Sequence, residues 1–169
     1  LRGNRGKGTD ELARRLGMTE SDLRRIPISY REFKIPKRGG GTRTITAPSD
    51  ELKKTQRRIL VRVLGKLSAH QAAMGFERGR SIVSHALLHT GKRVVVSMDI
   101  KDFFTSTSAK RVQKYFRFIG WNKDAADLLT QLCTYNGALP QGAPTSPRLS
   151  NLVNYRLDAR LTALAERHG

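Results

Sequence analysis

With 169 residues the chain is long enough for one domain with a core, or for a small lobe plus part of a larger one, and its formal charge of +18 and isoelectric point near 11.1 exceed what solubility requires. Such an excess of Lys and Arg points to a polyanion, nucleic acid first, while a membrane is disfavoured because no apolar run is long enough to span and no signal-peptide pattern is present. The single cysteine, Cys133, excludes an intramolecular disulfide and a Cys-rich zinc site and predicts a reducing, cytoplasmic setting. The chain opens on Leu1 rather than a methionine, which reads as an N-terminus either trimmed or not included.

Residues 1–8, LRGNRGKG, are basic and Gly-rich and read as a flexible arm. TDELARRLGMTESDLRRI predicts two short helices around Gly17, with Leu12, Leu16 and Leu23 as the apolar face and Thr19 as the N-cap of the second. YREFKIPKRGGGTRTITAPS predicts a β-hairpin around a triple-glycine tip, closed by Pro48. A helix is predicted from Ser49, with Leu52, Ile59, Leu60, Val63, Leu64 and Leu67 on one face and Lys53, Arg57, Arg58 and Arg62 on others. GFERGRS is a loop signal, and SIVSHALLHTG a short helix ended by Gly91.

RVVVSMDIKDFF, residues 93–104, predicts a strand. A helix near Ser108 should bury Val112, Tyr115, Phe116 and Ile119. The next, from Asn122 to the Asn136-Gly137 stop, should bury Ala125, Leu128, Leu129, Leu132 and Cys133. After the loop ALPQGAPTSP, Ser146 and Pro147 suit the N-cap and first position of a last helix carrying Leu149, Leu152, Val153, Leu157, Leu161 and Leu164. There is no internal repeat. The pattern is α+β without regular βαβ alternation, which argues against a doubly wound fold.

Alternate residues of a strand share a face. Val94, Val96, Met98 and Ile100 would then lie on a core, and Val95, Ser97, Asp99 and Lys101 would face away, leaving Asp99 in a cleft at the strand's end. A carboxylate there either caps a turn or pairs with a nearby Lys, or else it binds a hard cation such as magnesium.

The apolar run followed by Asp99, Asp102, Phe103 and Phe104 resembles motif A of reverse transcriptases. In that family the first Asp binds the catalytic metals, the next residue offers a backbone carbonyl, and the aromatic lies under the incoming sugar. The resemblance therefore implies Asp99 as catalytic residue and metal ligand, Ile100 as carbonyl ligand and Phe104 at the sugar, with Phe103 turned toward the core. LPQGAPTSPRLSN, residues 139–151, resembles motif B, implying Gln141 and Gly142 in the nucleotide pocket. IPKRGGGTRTI resembles the fingers hairpin, implying Lys37 and Arg43 on the triphosphate. The nucleotide-binding set implied is Lys37, Arg43, Asp102, Phe103, Phe104, Gln141 and Gly142. The nucleic-acid-binding set is Arg57, Arg58, Arg78, Arg80, His89, Ser146 and Pro147.

GFERGRSI followed by His85-Ala86-Leu87-Leu88-His89 is similar to retron-type bacterial reverse transcriptases, which carry Asn-Ala-x-x-His before motif A. Ala86 and His89 match; His85 departs from Asn. Group II intron enzymes share the GF and GRS elements and stay open as an alternative. His85 and His89 lack the further ligands that a zinc site needs.

The resemblance implies a right-hand polymerase: fingers and partial palm, with helices packed on a small antiparallel sheet and a helical N-terminal extension. The expected divisions are 1–27 for the arm and first helices, 28–92 for the fingers and 93–169 for an incomplete palm, without the Tyr-x-Asp-Asp hairpin and thumb. The implied function is RNA-directed DNA synthesis on two Mg2+ ions. The implied template is a structured non-coding RNA copied in anti-phage defence. The implied partners are that RNA, the RNA/DNA duplex, dNTPs, the remaining palm and thumb and an effector protein, with no membrane. A non-catalytic RNA-binding subunit derived from such an enzyme is the rival, and a helix-turn-helix in ELARRLGMTESDLRR is a further reading.

Overall fold

The computed structural model describes residues 6–37 and 39–168. Residues 1–5 of the predicted arm lie outside the described residues. The arm's end is anchored: the Lys7 amide donates to the Gly120 carbonyl at 2.9 Å, and the Asn122 amide donates back to the Lys7 carbonyl at 2.9 Å.

Local hydrogen bonding sets the next elements. Helix α1, Thr9–Leu16, ends because Gly17 takes a φ of 66°, and Thr19 starts α2, Glu20–Arg25, by accepting from the Asp22 amide at 3.1 Å. Leu12, Leu16 and Leu23 are fully buried, and Arg14, Arg15 and Arg24 pair with Glu11 or Glu20 of their own helix pair. The arginine faces of this segment are thus partly engaged within the fold.

Strands β1, Tyr30–Pro36, and β2, Thr42–Pro48, pair antiparallel from Tyr30 opposite Pro48 to Pro36 opposite Thr42. Helix α3, Asp50–Ile59, runs on into a π-helical turn at Leu60–Leu64, and buries Leu52, Ile59, Val63 and Leu64 as the periodicity predicts. Short α4, Ile82–Leu87, is held by reciprocal Ser81–Ser84 capping. Helix α5, Ala109–Phe118, is capped by Ser108, and α6, Lys123–Cys133, by Asn122, whose Oδ1 accepts from the Ala125 amide at 2.9 Å. Helices α7, Ser146–Val153, and α8, Tyr155–Arg167, complete the order.

Among the described residues the architecture is α+β, with eight α-helices and one two-stranded antiparallel sheet. Helix α6 is the centre: its buried Ala125, Ala126, Leu128, Leu129, Leu132 and Cys133 pack with α5, α1 and α3 in one core cluster that also holds Val112 and Phe116 of α5 and Leu149 of α7. Full burial of each such leucine stabilises by about 1.5–3 kcal/mol. The core is therefore helix on helix, not helices laid on the sheet. The hairpin projects from it and is moored at its foot, where the Gln56 side-chain amide donates to the Tyr30 hydroxyl and to the Leu132 carbonyl, both at 2.9 Å.

Four further expectations fail. Residues 93–101 form no strand, and Val94, Val96, Met98 and Ile100 are 76%, 73%, 76% and 45% exposed rather than on a core. A strand needs a neighbour's amides and carbonyls, and β1 and β2 satisfy each other. The last helix breaks at Asn154, whose side chain donates to the Ser150 carbonyl at 2.8 Å and accepts from Arg111 at 2.7 Å; beyond it Leu157, Leu161 and Leu164 are 37%, 42% and 51% exposed. That helix also begins at Ser146, with Thr145 in the cap position, one residue earlier than predicted. Likewise α6 stops at Cys133, and Asn136-Gly137 instead forms a tight turn closed by paired Tyr135 and Ala138 backbone bonds of 2.9 and 3.1 Å.

Candidate active site

A cleft of about 810 Å³ opens where three distant segments meet. The hairpin supplies Glu32, Lys37, Arg43 and Thr44; the turn after the apolar run supplies Asp99, Ile100, Asp102, Phe103 and Phe104; and the loop before α7 supplies Tyr135, Asn136, Pro140 and Gln141.

Backbone hydrogen bonds hold these walls in register. The Thr46 amide donates to the Gln141 carbonyl at 2.8 Å, joining β2 to the Pro-Gln-Gly loop. The Leu139 amide donates to the Thr107 carbonyl at 3.1 Å and the Ala109 amide to the Gly137 carbonyl at 2.7 Å, joining that loop to the base of the Asp99 turn. Within the turn Asp102 adopts a φ of 53°, and its carbonyl accepts from the Ser106 amide at 2.8 Å and the Thr105 hydroxyl at 3.0 Å. At this left-handed residue the chain turns, and Asp99, Asp102, Phe103 and Phe104 all line one cavity.

The cleft carries charges of both signs. Lys37 and Arg43 lie on the hairpin wall together with Glu32, Asp99 and Asp102 lie on the turn, and none of the five forms a salt bridge among the described residues. The cations are free to meet an anionic ligand, and the carboxylates a cation. The donor set for a metal is partial: no group of three or more His, Cys, Asp or Glu side chains among the described residues converges on one point. At the cleft's foot Tyr30 stacks on Tyr135 with ring centroids 4.5 Å apart, and burial pushes the Tyr30 phenol well above its ordinary range, keeping it neutral.

The structure thus brings together Lys37, Arg43, Asp99, Ile100, Asp102, Phe103, Phe104 and Gln141. Phe104 also packs on the hydrophobic core, whereas Phe103, expected there, does not; the reversal at Asp102 exchanges their surroundings. Gly142 does not line the cleft. It takes a φ of 141° with its Cα turned toward β2, where a Cβ would lie 2.8 Å from the Thr46 carbonyl oxygen. Ser146, expected to contact nucleic acid, is fully buried, and its hydroxyl donates to the Pro140 carbonyl at 2.7 Å, holding the loop instead. Pro147 is half-buried beside it.

Arg57, Arg58, Arg78, Arg80 and His89 are exposed. Arg58 reaches back to the Leu16 carbonyl at 3.5 Å, and His89 lies with its Nε2 3.3 Å from that of His85. Sequence reasoning missed Glu32, Tyr135 and Asn136 as lining residues: Glu32 shares the strand's alternation with Lys34, and the Tyr-Asn-Gly signal reads only as a helix stop. It also missed the ion pair between Glu77 and Arg148, residues far apart in the chain.

Residues 35–166 match the family model described as reverse transcriptase (RNA-dependent DNA polymerase). The chain is 41% identical, over 95% of its length, to the retron Mx162 reverse transcriptase of Myxococcus xanthus, and 38% identical over 95% to the retron Mx65 enzyme of the same organism. It is 39% identical over 83% of its length to the retron Ec86 reverse transcriptase of Escherichia coli. It spans 38%, 44% and 44% of the length of the Mx162, Mx65 and Ec86 proteins. The match covers every segment that builds the cleft from Ile35 onward, and the chain belongs to the reverse transcriptase family.

Proposed function

We propose that this chain carries the nucleotide-facing part of a retron-type RNA-directed DNA polymerase, which extends a primer by attack of its terminal hydroxyl on the α-phosphate of a dNTP, with pyrophosphate leaving. The observation that supports this reading most is the convergence of Lys37, Arg43, Asp99, Phe104 and Gln141 on one cleft from three separate parts of the chain. On the same reading, residues 28–92 are the fingers, 93–169 are part of the palm and 1–27 are an N-terminal extension. The similarity to retron enzymes supports a structured RNA as template. No described helix is long and apolar enough to cross a membrane.

Each wall has a role set by its chemistry. Lys37 and Arg43 neutralise the triphosphate, and Arg43 can take two phosphate oxygens at once because its guanidinium presents paired donors. Phe104 offers a flat apolar surface to the sugar, and Gln141 offers an amide to the nascent base pair. Asp99 and the Ile100 carbonyl are the groups that would hold a divalent cation, magnesium being the hard ion these oxygen donors suit. When bound, that ion supplies charge neutralisation at the phosphates and a more acidic primer hydroxyl. The exposed Arg57, Arg78 and Arg80 and the net charge of +18 serve the phosphate backbone of template and product.

The test is steady-state primer extension by the complete polymerase that carries this chain. Arg43→Ala should raise the KM for dNTP on the order of tenfold or more, as for a lost charge-assisted phosphate contact, while the affinity for template RNA stays near wild type. An unchanged KM with a weakened RNA affinity would assign the hairpin to nucleic acid instead.

A further inference from the structure

Behind Phe104 runs the loop Gly75-Phe76-Glu77-Arg78-Gly79-Arg80-Ser81. Phe76 has a φ of 61°, in the left-handed region where a bulky side chain is costly and which persists only where surrounding contacts over-determine it. Here both neighbours of Phe76 are fixed to α7. The Gly75 carbonyl accepts from Asn151 Nδ2 at 2.8 Å, and the same nitrogen donates to Glu77 Oε1 at 2.9 Å. Glu77 is also ion-paired with Arg148, which donates to the Leu67 carbonyl, and the pair is shielded, with side-chain exposures of 16% and 14%. Three side-chain contacts thus pin the residues before and after a single strained one.

What the strain achieves is the placement of a ring. Phe76 is 68% exposed, so burial is not its reward. Its ring centroid stands 6.4 Å from that of Phe104 with the planes tilted by 51°, and Phe104 in turn stands 5.9 Å from Phe103. Phe104 lines the cleft and Phe76 does not. Phe76 therefore reaches the cleft only through Phe104. Its clasp is mounted on α7, the helix that begins five residues beyond Gln141, so the backing ring is registered to the same rigid element as the loop across the cavity.

We infer that Phe76 is a positioning residue for sugar discrimination: held by Glu77, Arg148 and Asn151, its ring backs that of Phe104 and sets how far Phe104 extends toward the incoming nucleotide. This rests on the reading that Phe104 lies against the sugar. Without the backing ring Phe104 gains room to withdraw, and space opens for a 2′-hydroxyl. The deoxynucleotide needs no such space and is affected less.

The experiment measures kcat/KM for dGTP and for GTP with the complete polymerase, in wild type, Phe76→Gly, Phe76→Tyr, Glu77→Ala and Phe104→Val, with a thermal melt of each. Glycine accepts a φ of 61° without strain, so Phe76→Gly should melt no lower than wild type, yet its dGTP-to-GTP ratio should fall roughly three- to tenfold. Phe76→Tyr should keep the wild-type ratio, and Glu77→Ala should lower it with no further fall when combined with Phe76→Gly, because the clasp acts through that ring. A ratio that Phe104→Val shifts and Phe76→Gly leaves unchanged would overturn the inference while the reading of Phe104 stands. A ratio that neither variant shifts would remove Phe104 from the sugar, and Phe76 with it. A Phe76→Gly enzyme that loses dGTP and GTP use in equal proportion would make Phe76 a structural residue only.

Discussion

The amide of Thr46 donates to the carbonyl of Gln141 across 2.8 Å, so the basic hairpin and the Pro-Gln-Gly loop share one backbone hydrogen bond at the rim of the cleft. The next residue, Gly142, is what lets them approach. A Cβ there would lie 2.8 Å from the Thr46 carbonyl oxygen and 3.0 Å from Ile45 Cγ2, at a φ of 141° that side-chain-bearing residues rarely adopt. Gly142→Ala is expected to cost about 1–3 kcal/mol of stability by urea melt and to raise the KM for dNTP by separating the walls. A variant that melts and polymerises like wild type would show the two walls to be independent.

Asp99→Asn in the complete polymerase should lower the rate of primer extension by more than about a hundredfold while leaving RNA affinity nearly intact, because it removes a cation's oxygen donor and no phosphate contact. The measurement pairs single-turnover extension with a filter-binding isotherm. Activity above a few per cent of wild type would reduce Asp99 to a turn residue.

The excess of Lys and Arg predicts steep salt dependence. A plot of log affinity for structured RNA against log salt should fall with a slope of several units, since each neutralised phosphate releases counterion. A flat plot would assign the charge to another partner.

Burial pushes the Cys133 thiol up to about 12 from an ordinary value of 9.0. The unfolded chain therefore releases this proton at lower pH than the folded one, and above pH 9 the unfolded state binds fewer protons. Stability from this group is fully present below pH 9 and is lost as pH rises toward 12. Urea melts should show a falling midpoint across that window, with a smaller fall in Cys133→Ala, and a thiol reagent at pH 8 should label Cys133 only on unfolding. Rapid labelling of the folded protein would contradict the burial.

No amide between residues 92 and 101 donates to a backbone carbonyl among the described residues. Hydrogen exchange of a 1–169 polypeptide should show that segment exchanging at nearly the unfolded rate while the amides of α6 are protected. Strong protection of Val94 to Met98 would mean that this apolar run finds a strand partner.

The features legible in the residues alone are those that neighbours in the chain can decide. Thr19 was legible as a helix cap, and Ser108 and Asn122 as the places where helices start; the side chain of each accepts from an amide three residues on. The triple glycine marked the hairpin, and the apolar face of α6 was read correctly from its period. The resemblance of the aspartate, aromatic and Pro-Gln-Gly segments to motifs of one family also named six of the residues that line the cleft. Packing between distant segments settled the rest. The run at 93–101 has a strand's composition but no backbone partner, and a ladder cannot form with one side. Ser146 looked like a cap and ligand, yet the Pro140 carbonyl turns its hydroxyl inward. The Glu77–Arg148 clasp joins residues 71 positions apart, and such a pair is set by how helices pack, which no local pattern records.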